Sequence, residues 1–189
     1  MAVTEKRTAS QIWGVGVRQV VYMALGAALY AGLSIPTNLI PIPSAGNVSL
    51  RPAIVIPLFF GVVFGPVVGF FTGAIGNTIG DLISGYGIVW FWEIGNGLVG
   101  LIAGLAVYLT FGRYNNARNI IIAEIFSAIG IVVGIAFAAY SDIWVYKLTF
   151  AGSTSELVAA AGTDLINGLI LLPILLIIYN AAMRRTGRA

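Results

Sequence analysis

The stretch Phe64–Gly104, FGPVVGFFTGAIGNTIGDLISGYGIVWFWEIGNGLVGLIAG, holds two long apolar runs split by SGYG at Ser84–Gly87. Each run is too long for an ordinary soluble core helix and long enough to cross a bilayer. Set into them are Asn77, Asp81, Glu93 and Asn96, with glycines at helical spacing around them. Polar and ionisable groups are costly inside a membrane span and mark function there by default. Two carboxylates and two amides near the water-facing ends of apolar helices predict a small-molecule site that opens on the outer side of a membrane.

The rest of the chain fits that frame. Its 189 residues are 59% hydrophobic and only 9% charged, and the mean hydropathy is +0.96. A soluble domain carries about 25% charged residues, so this surface needs lipid as its solvent. The expected fold class is all-α: an integral membrane protein with six transmembrane helices in one compact bundle. The sequence has no cysteine and no histidine. Disulfides and cysteine-ligated metals are thereby excluded, and the commonest general base is missing. The net charge of +3 comes from basic residues at the ends of apolar runs, which reflects topology rather than nucleic-acid binding.

Outward from the quoted stretch, the expected spans are 19–35, 52–64, 66–83, 88–111, 119–146 and 156–183, in a single domain over 1–189. Residues 1–18 read as a polar leader, without the short apolar core of a cleavable signal. The first span carries Ala24, Ala28 and Gly32 at intervals of four, a groove that another helix can approach closely. Pro36, Pro41 and Pro43 are expected to end that helix, leaving 36–50 as an irregular lid loop. The second span is short and carries Pro57, so it starts within the protein's rim or bends there. LTFAGSTSE at Leu148–Glu156 reads as a polar loop, with Ser153 or Ser155 capping the last helix.

Charge sets the expected orientation. With the N-terminus in the cytoplasm and six crossings, Lys6, Arg7, Arg18, Arg113, Arg118, Arg184, Arg185 and Arg188 lie inside, and only Arg51 and Lys147 lie outside. That bias supports two cytoplasmic termini. The acids sort the other way: Asp81, Glu93, Asp142, Glu156 and Asp164 fall in the outer half. The outer half is therefore net negative, which suits a neutral or cationic ligand better than a phosphorylated one.

Within that half, Asn77 and Asp81 share a helix face at a spacing of four, while Glu93/Asn96 and Asp164/Asn167 are three apart. Arg51, Trp92 and Tyr146 lie at similar depth. The expected substrate-binding set is Arg51, Asn77, Asp81, Trp92, Glu93, Asn96, Tyr146, Asp164 and Asn167. The same polar residues also suit a simpler role, bonding neighbouring helices together, and the aromatic ones suit the membrane interface. No catalytic or metal site is expected, since no histidine is available. No GxxxxGK[ST] motif occurs, so ATP would have to be used by another subunit.

LRPAIVIPLFFGVVFGPVVGFFTGAIGNTIGDLI at Leu50–Ile83, followed by VWFWEIGNGLVGLIAGL at Val89–Leu105, resembles the S components of energy-coupling factor (ECF) transporters, nearest the riboflavin-type group. The match covers Arg51–Leu105 well, and the remainder agrees in span count and terminal charge. The resemblance implies a non-enzymatic, six-helix subunit of a prokaryotic plasma membrane that binds a vitamin or precursor at its extracellular side. It implies docking onto a transmembrane T component that carries two cytoplasmic ATPases, with ATP used by those partners. The family docks through an AxxxA pattern on its first helix, matched here by Ala24 and Ala28. Riboflavin, a thiamine-like cation and an aminopyrimidine all suit the charge of the outer half. Two other readings compete: an autonomous proton-coupled transporter using Glu93 and Asp164, and a membrane assembly protein whose polar residues only join helices.

Overall fold

The computed structural model describes residues 12–38 and 51–185. Helix α1 spans Val17–Asn38. A 3-10 turn at Pro52–Ile54 leads into α2, Val55–Phe64, and α3 follows at Pro66–Ser84. Helix α4, Trp90–Gly104, continues into one further turn at Val107–Thr110. Helix α5 covers Ala117–Val145 and α6 covers Phe150–Arg185. The described residues contain no strand, so the all-α expectation holds. Among the described residues five helices are long and apolar enough to cross a membrane, and Pro52–Phe64 forms a shorter apolar sixth.

Two boundaries differ from expectation. Helix α1 runs through Pro36 to Asn38. Pro36 falls in the last turn, where a missing amide removes one hydrogen bond close to an end that frays anyway. Thr37 Oγ1 donates to the carbonyls of Leu33 at 3.2 Å and Ser34 at 3.0 Å, closing that turn with a side chain. The remainder of the expected lid, residues 39–50, lies outside the described residues. At the other boundary, α6 begins at Phe150 rather than Glu156. Thr149 Oγ1 accepts from the amide of Gly152 at 3.1 Å and supplies the cap. Ser153 and Ser155 are inside the helix, and Ser153 is buried.

Small residues set the packing. The backbones of α3 and α4 touch at Gly69 and Gly100: a Cβ on either would collide with the other's carbonyl group. A Cβ on Gly95 of α4 would lie 2.6 Å from the carbonyl oxygen of Gly134 on α5. Helix α2 runs through the middle. Its Leu58 and Val62 are fully buried, as are Ile131 and Ile135 of α5 and Leu172 and Leu176 of α6. A helix walled in by other helices need not match the bilayer's thickness, which explains its short length. Pro57 sits in the first turn of α2, so the change of winding happens in the preceding 3-10 turn. On the outside, Leu25, Leu29, Ile125, Ile129, Ile170 and Ile177 are exposed. Apolar exposure on this scale is a lipid-facing coat.

The chain alternates direction, so its ends sort to two poles. At one, Trp13 Nε1 donates to the Tyr108 hydroxyl at 2.6 Å, and Asn180 Nδ2 donates to the Tyr114 carbonyl. The start of α1 and the end of α6 therefore share that pole. The opposite pole gathers the end of α1, the Arg51 turn, the ends of α3 and α5, and the starts of α4 and α6. Gly85, left-handed at φ 85°, closes α3 there. A residue with a Cβ would be strained in that conformation.

Candidate functional site

This second pole encloses a cavity of about 500 Å³. Every element that reaches the pole contributes to its wall. Tyr30, Ser34 and Thr37 come from α1, Arg51 and Ala53 from the turn, and Asn77 and Asp81 from α3. Tyr86, Val89 and Trp92 come from the α3–α4 connection and α4, Asp142 from α5, and Tyr146, Leu148, Glu156 and Ala160 from the α5–α6 corner. The size and the mixture of aromatic and convergent polar groups are those of small-ligand sites.

A connected polar network forms the floor. Arg51 Nε donates to Asp164 Oδ1 at 3.0 Å, and the two side chains are 16% and 0% exposed. Arg51 Nη2 donates to Asn96 Oδ1 at 2.5 Å and lies 3.4 Å from the Tyr30 hydroxyl. Tyr30 donates in turn to Asn96 Oδ1 at 2.9 Å, and Asn96 Nδ2 donates to the Trp92 carbonyl at 2.9 Å. Asn77 Nδ2 bridges two carboxylates, Asp81 Oδ2 at 2.7 Å and Glu93 Oε2 at 2.9 Å. Asn77 Oδ1 lies 3.4 Å from the Tyr30 hydroxyl, which joins the two halves. A buried ion pair contributes little net stability, but removing one partner strands the other's charge.

The electrostatics of the wall are one-sided. Asp81, Asp142 and Glu156 line the cavity, with Arg51 the one cation on its wall among the described residues. Burial works against the Arg51 guanidinium, but Asp164, Tyr30 and Asp81 together outweigh it and raise its pKa. Its Nε and Nη2 donors are already engaged, so the wall mainly offers acceptor oxygens. Trp92 Nε1 donates to Asp142 Oδ2 at 2.9 Å and orients the indole. Asp142 Oδ1 and Glu156 Oε2 are buried and take no hydrogen bond from a donor group elsewhere in the protein, and the two carboxyl groups lie within hydrogen-bond reach of each other. Among the described residues, no three acidic side chains cluster closely enough to hold a metal ion.

The expected site residues separate into three groups. Arg51, Asn77, Asp81, Trp92 and Tyr146 stand on the cavity wall. Glu93, Asn96 and Asp164 lie just behind it, 2%, 0% and 0% exposed, and hold the wall residues in place. Asn167 is off the wall, one turn further along α6 than Asp164, with its Nδ2 unpartnered. Ala24, Ala28 and Gly32 are exposed on the outward face of α1, and a Cβ on Gly32 would meet nothing within 4 Å. Sequence reasoning missed Tyr30, Ser34 and Thr37 as wall residues. Their spacing of four and three was the available signal, since it puts a polar-edged stripe on one face of α1.

A lipid-coated helical bundle with a polar, solute-sized cavity at one pole is the architecture of a substrate-binding membrane subunit. The family model for the ECF-type riboflavin transporter S component matches residues 14–182, and the chain belongs to that family. Its similar relatives include a UPF0397 protein of Aliivibrio salmonicida, 35% identical over 155 residues, 79% of this chain and 84% of the relative. A UPF0397 protein of Vibrio atlanticus is 34% identical over the same shares. The family consists of transporter S components rather than enzymes, and with these apolar helices the chain is a multi-pass protein of the prokaryotic plasma membrane.

Proposed function

We propose that the chain captures a vitamin or vitamin precursor in the polar cavity and presents it for ATP-driven import by partner subunits. The observation that carries this reading is the connected network of Tyr30, Arg51, Asn77, Asn96 and Asp164 beneath a cavity of about 500 Å³. Mere helix glue has no need of such a hollow. Arg51, Asn77, Asp81, Trp92 and Tyr146 contact the ligand, and Glu93, Asn96 and Asp164 position them. The acidic wall favours a neutral or cationic heteroaromatic molecule, riboflavin-like or thiamine-like, over a phosphorylated one. The basic residues at the far pole favour cytoplasmic termini, which turns the cavity outward.

Docking uses Ala24, Ala28 and Gly32. They form a small-residue stripe on the outer face of α1, suited to close approach by a helix of the T component. Two cytoplasmic ATPases bound to that component supply the energy. The test is two-part. Purified protein in detergent binds or retains a small molecule without ATP, identified by mass spectrometry. In liposomes, uptake then requires the partner subunits. Robust uptake by this protein alone points instead to a secondary transporter.

A further inference from the structure

The polar network accounts for Arg51, Asn77, Asn96 and Asp164, but leaves the opposite wall unexplained. There Asp142, only 4% exposed, places one carboxylate oxygen on the Trp92 indole at 2.9 Å. Its other oxygen, Oδ1, is buried and accepts nothing. Glu156 Oε2 likewise takes no hydrogen bond from a donor group elsewhere in the protein, and the two carboxyl groups lie within hydrogen-bond reach of each other. Both residues line the cavity, and Arg51, the one cation on its wall among the described residues, is bound to Asp164. A buried acceptor without a donor is costly, and two carboxyl groups this close repel when both are ionised, so without a ligand they share one proton. Trp92, Tyr146 and Leu148 line the cavity with them, so an apolar or aromatic surface flanks the two carboxyl groups.

Resting on the capture reading, we propose that Asp142 and Glu156 form a donor-reading subsite. It takes the amino-bearing or cationic end of a heteroaromatic ligand, whose ring lies against Trp92 and Tyr146. An amino group beside a protonated ring nitrogen, as in an aminopyrimidinium, presents two N–H donors on one edge and takes the place of the proton that the two carboxyl groups otherwise share. A ligand presenting only carbonyl or phosphate oxygens at this wall leaves them unsatisfied and adds repulsion. The subsite therefore selects the chemical class of substrate within the cavity.

The test uses the full chain in detergent, followed by calorimetry and Trp fluorescence. The probes are thiamine, 4-amino-5-hydroxymethyl-2-methylpyrimidine, thiamine monophosphate and riboflavin, and the molecule retained on purification is identified by mass spectrometry. The expected result is tighter binding of the first two probes, or an amino-bearing or cationic retained molecule. Asp142→Asn and Glu156→Gln should each weaken that ligand about 10- to 100-fold, the worth of a charge-assisted hydrogen bond. Should either variant fold poorly, the parent protein's probe ranking and the retained ligand still decide. Tight riboflavin binding unaffected by either substitution, or a retained ligand with no amino or cationic group, overturns the subsite and leaves the capture reading standing. Amino-bearing ligands that bind both variants as tightly as the parent also overturn it. If no probe binds and nothing is retained, the subsite and the capture reading fail together.

Discussion

Replacing Arg51 with Met tests the buried pair most directly. Asp164 is fully buried and its Oδ1 receives the Arg51 Nε–H at 3.0 Å, while its Oδ2 has no partner. The substitution leaves that carboxylate with no donor. It also takes the 2.5 Å bond from Asn96 Oδ1, which keeps its bond from Tyr30. Breaking a buried pair from one side costs about 3–5 kcal/mol. Arg51 is 16% exposed at the cavity edge, so water softens the loss and about 3 kcal/mol is expected. At roughly 2–4 °C per kcal/mol for a chain of this size, unfolding should fall by about 6–12 °C. The double variant Arg51→Met/Asp164→Leu removes both charges and should recover most of that loss. It should still bind ligand weakly, because Arg51 stands on the cavity wall. Thermal unfolding in detergent, run beside a binding titration, reads both quantities. A single variant within about 2 °C of the parent, or a double variant as unstable as the single, refutes the reasoning.

The other predictions concern separate parts of the fold. Asn77→Leu removes the amide that bridges Asp81 and Glu93; stability should drop by about 1–3 kcal/mol in thermal unfolding, and ligand affinity should fall with it. Gly100→Ala drives a Cβ into the backbone of Gly69 and should cost about 1–3 kcal/mol. Gly162→Ala meets nothing within 4 Å and should be neutral or slightly stabilising in the same assay. Ala24→Leu with Ala28→Leu should leave ligand binding by the isolated protein intact and abolish co-purification with the T component, since both residues face outward.

Much of this was legible in the chain because lipid enforces simple rules. Apolar runs must be helices, so α3, α4 and α5 fell close to their expected positions. Polar residues inside them, Asn77, Glu93, Asn96 and Asp164, had to turn inward, and their spacing of three or four placed them on shared faces. What could not be read was which faces meet. Asp142 and Trp92 are 50 residues apart, and no periodicity links them. Tyr30 sits in a helix of small and aliphatic residues, where an aromatic ring reads as packing until its hydroxyl finds Asn96. Asn167 shares the Asp164 repeat but is carried past the cavity by the direction of α6. At Leu148–Glu156 polar composition suggested a loop, while Thr149 capped a helix that lifts Glu156 to the wall.

Helix α1 carries two unlike faces on a single rod. Tyr30 and Ser34 look into the hollow, while Ala24, Ala28 and Gly32 look into lipid. A helix cannot roll on one side alone, so any turn of α1 that improves its grip on a captured molecule also re-presents the outward stripe. Should a partner's grip on the stripe turn α1, linkage requires that grip and the hold on a captured molecule to alter each other, so a stripe substitution that changes ligand affinity would reveal the coupling.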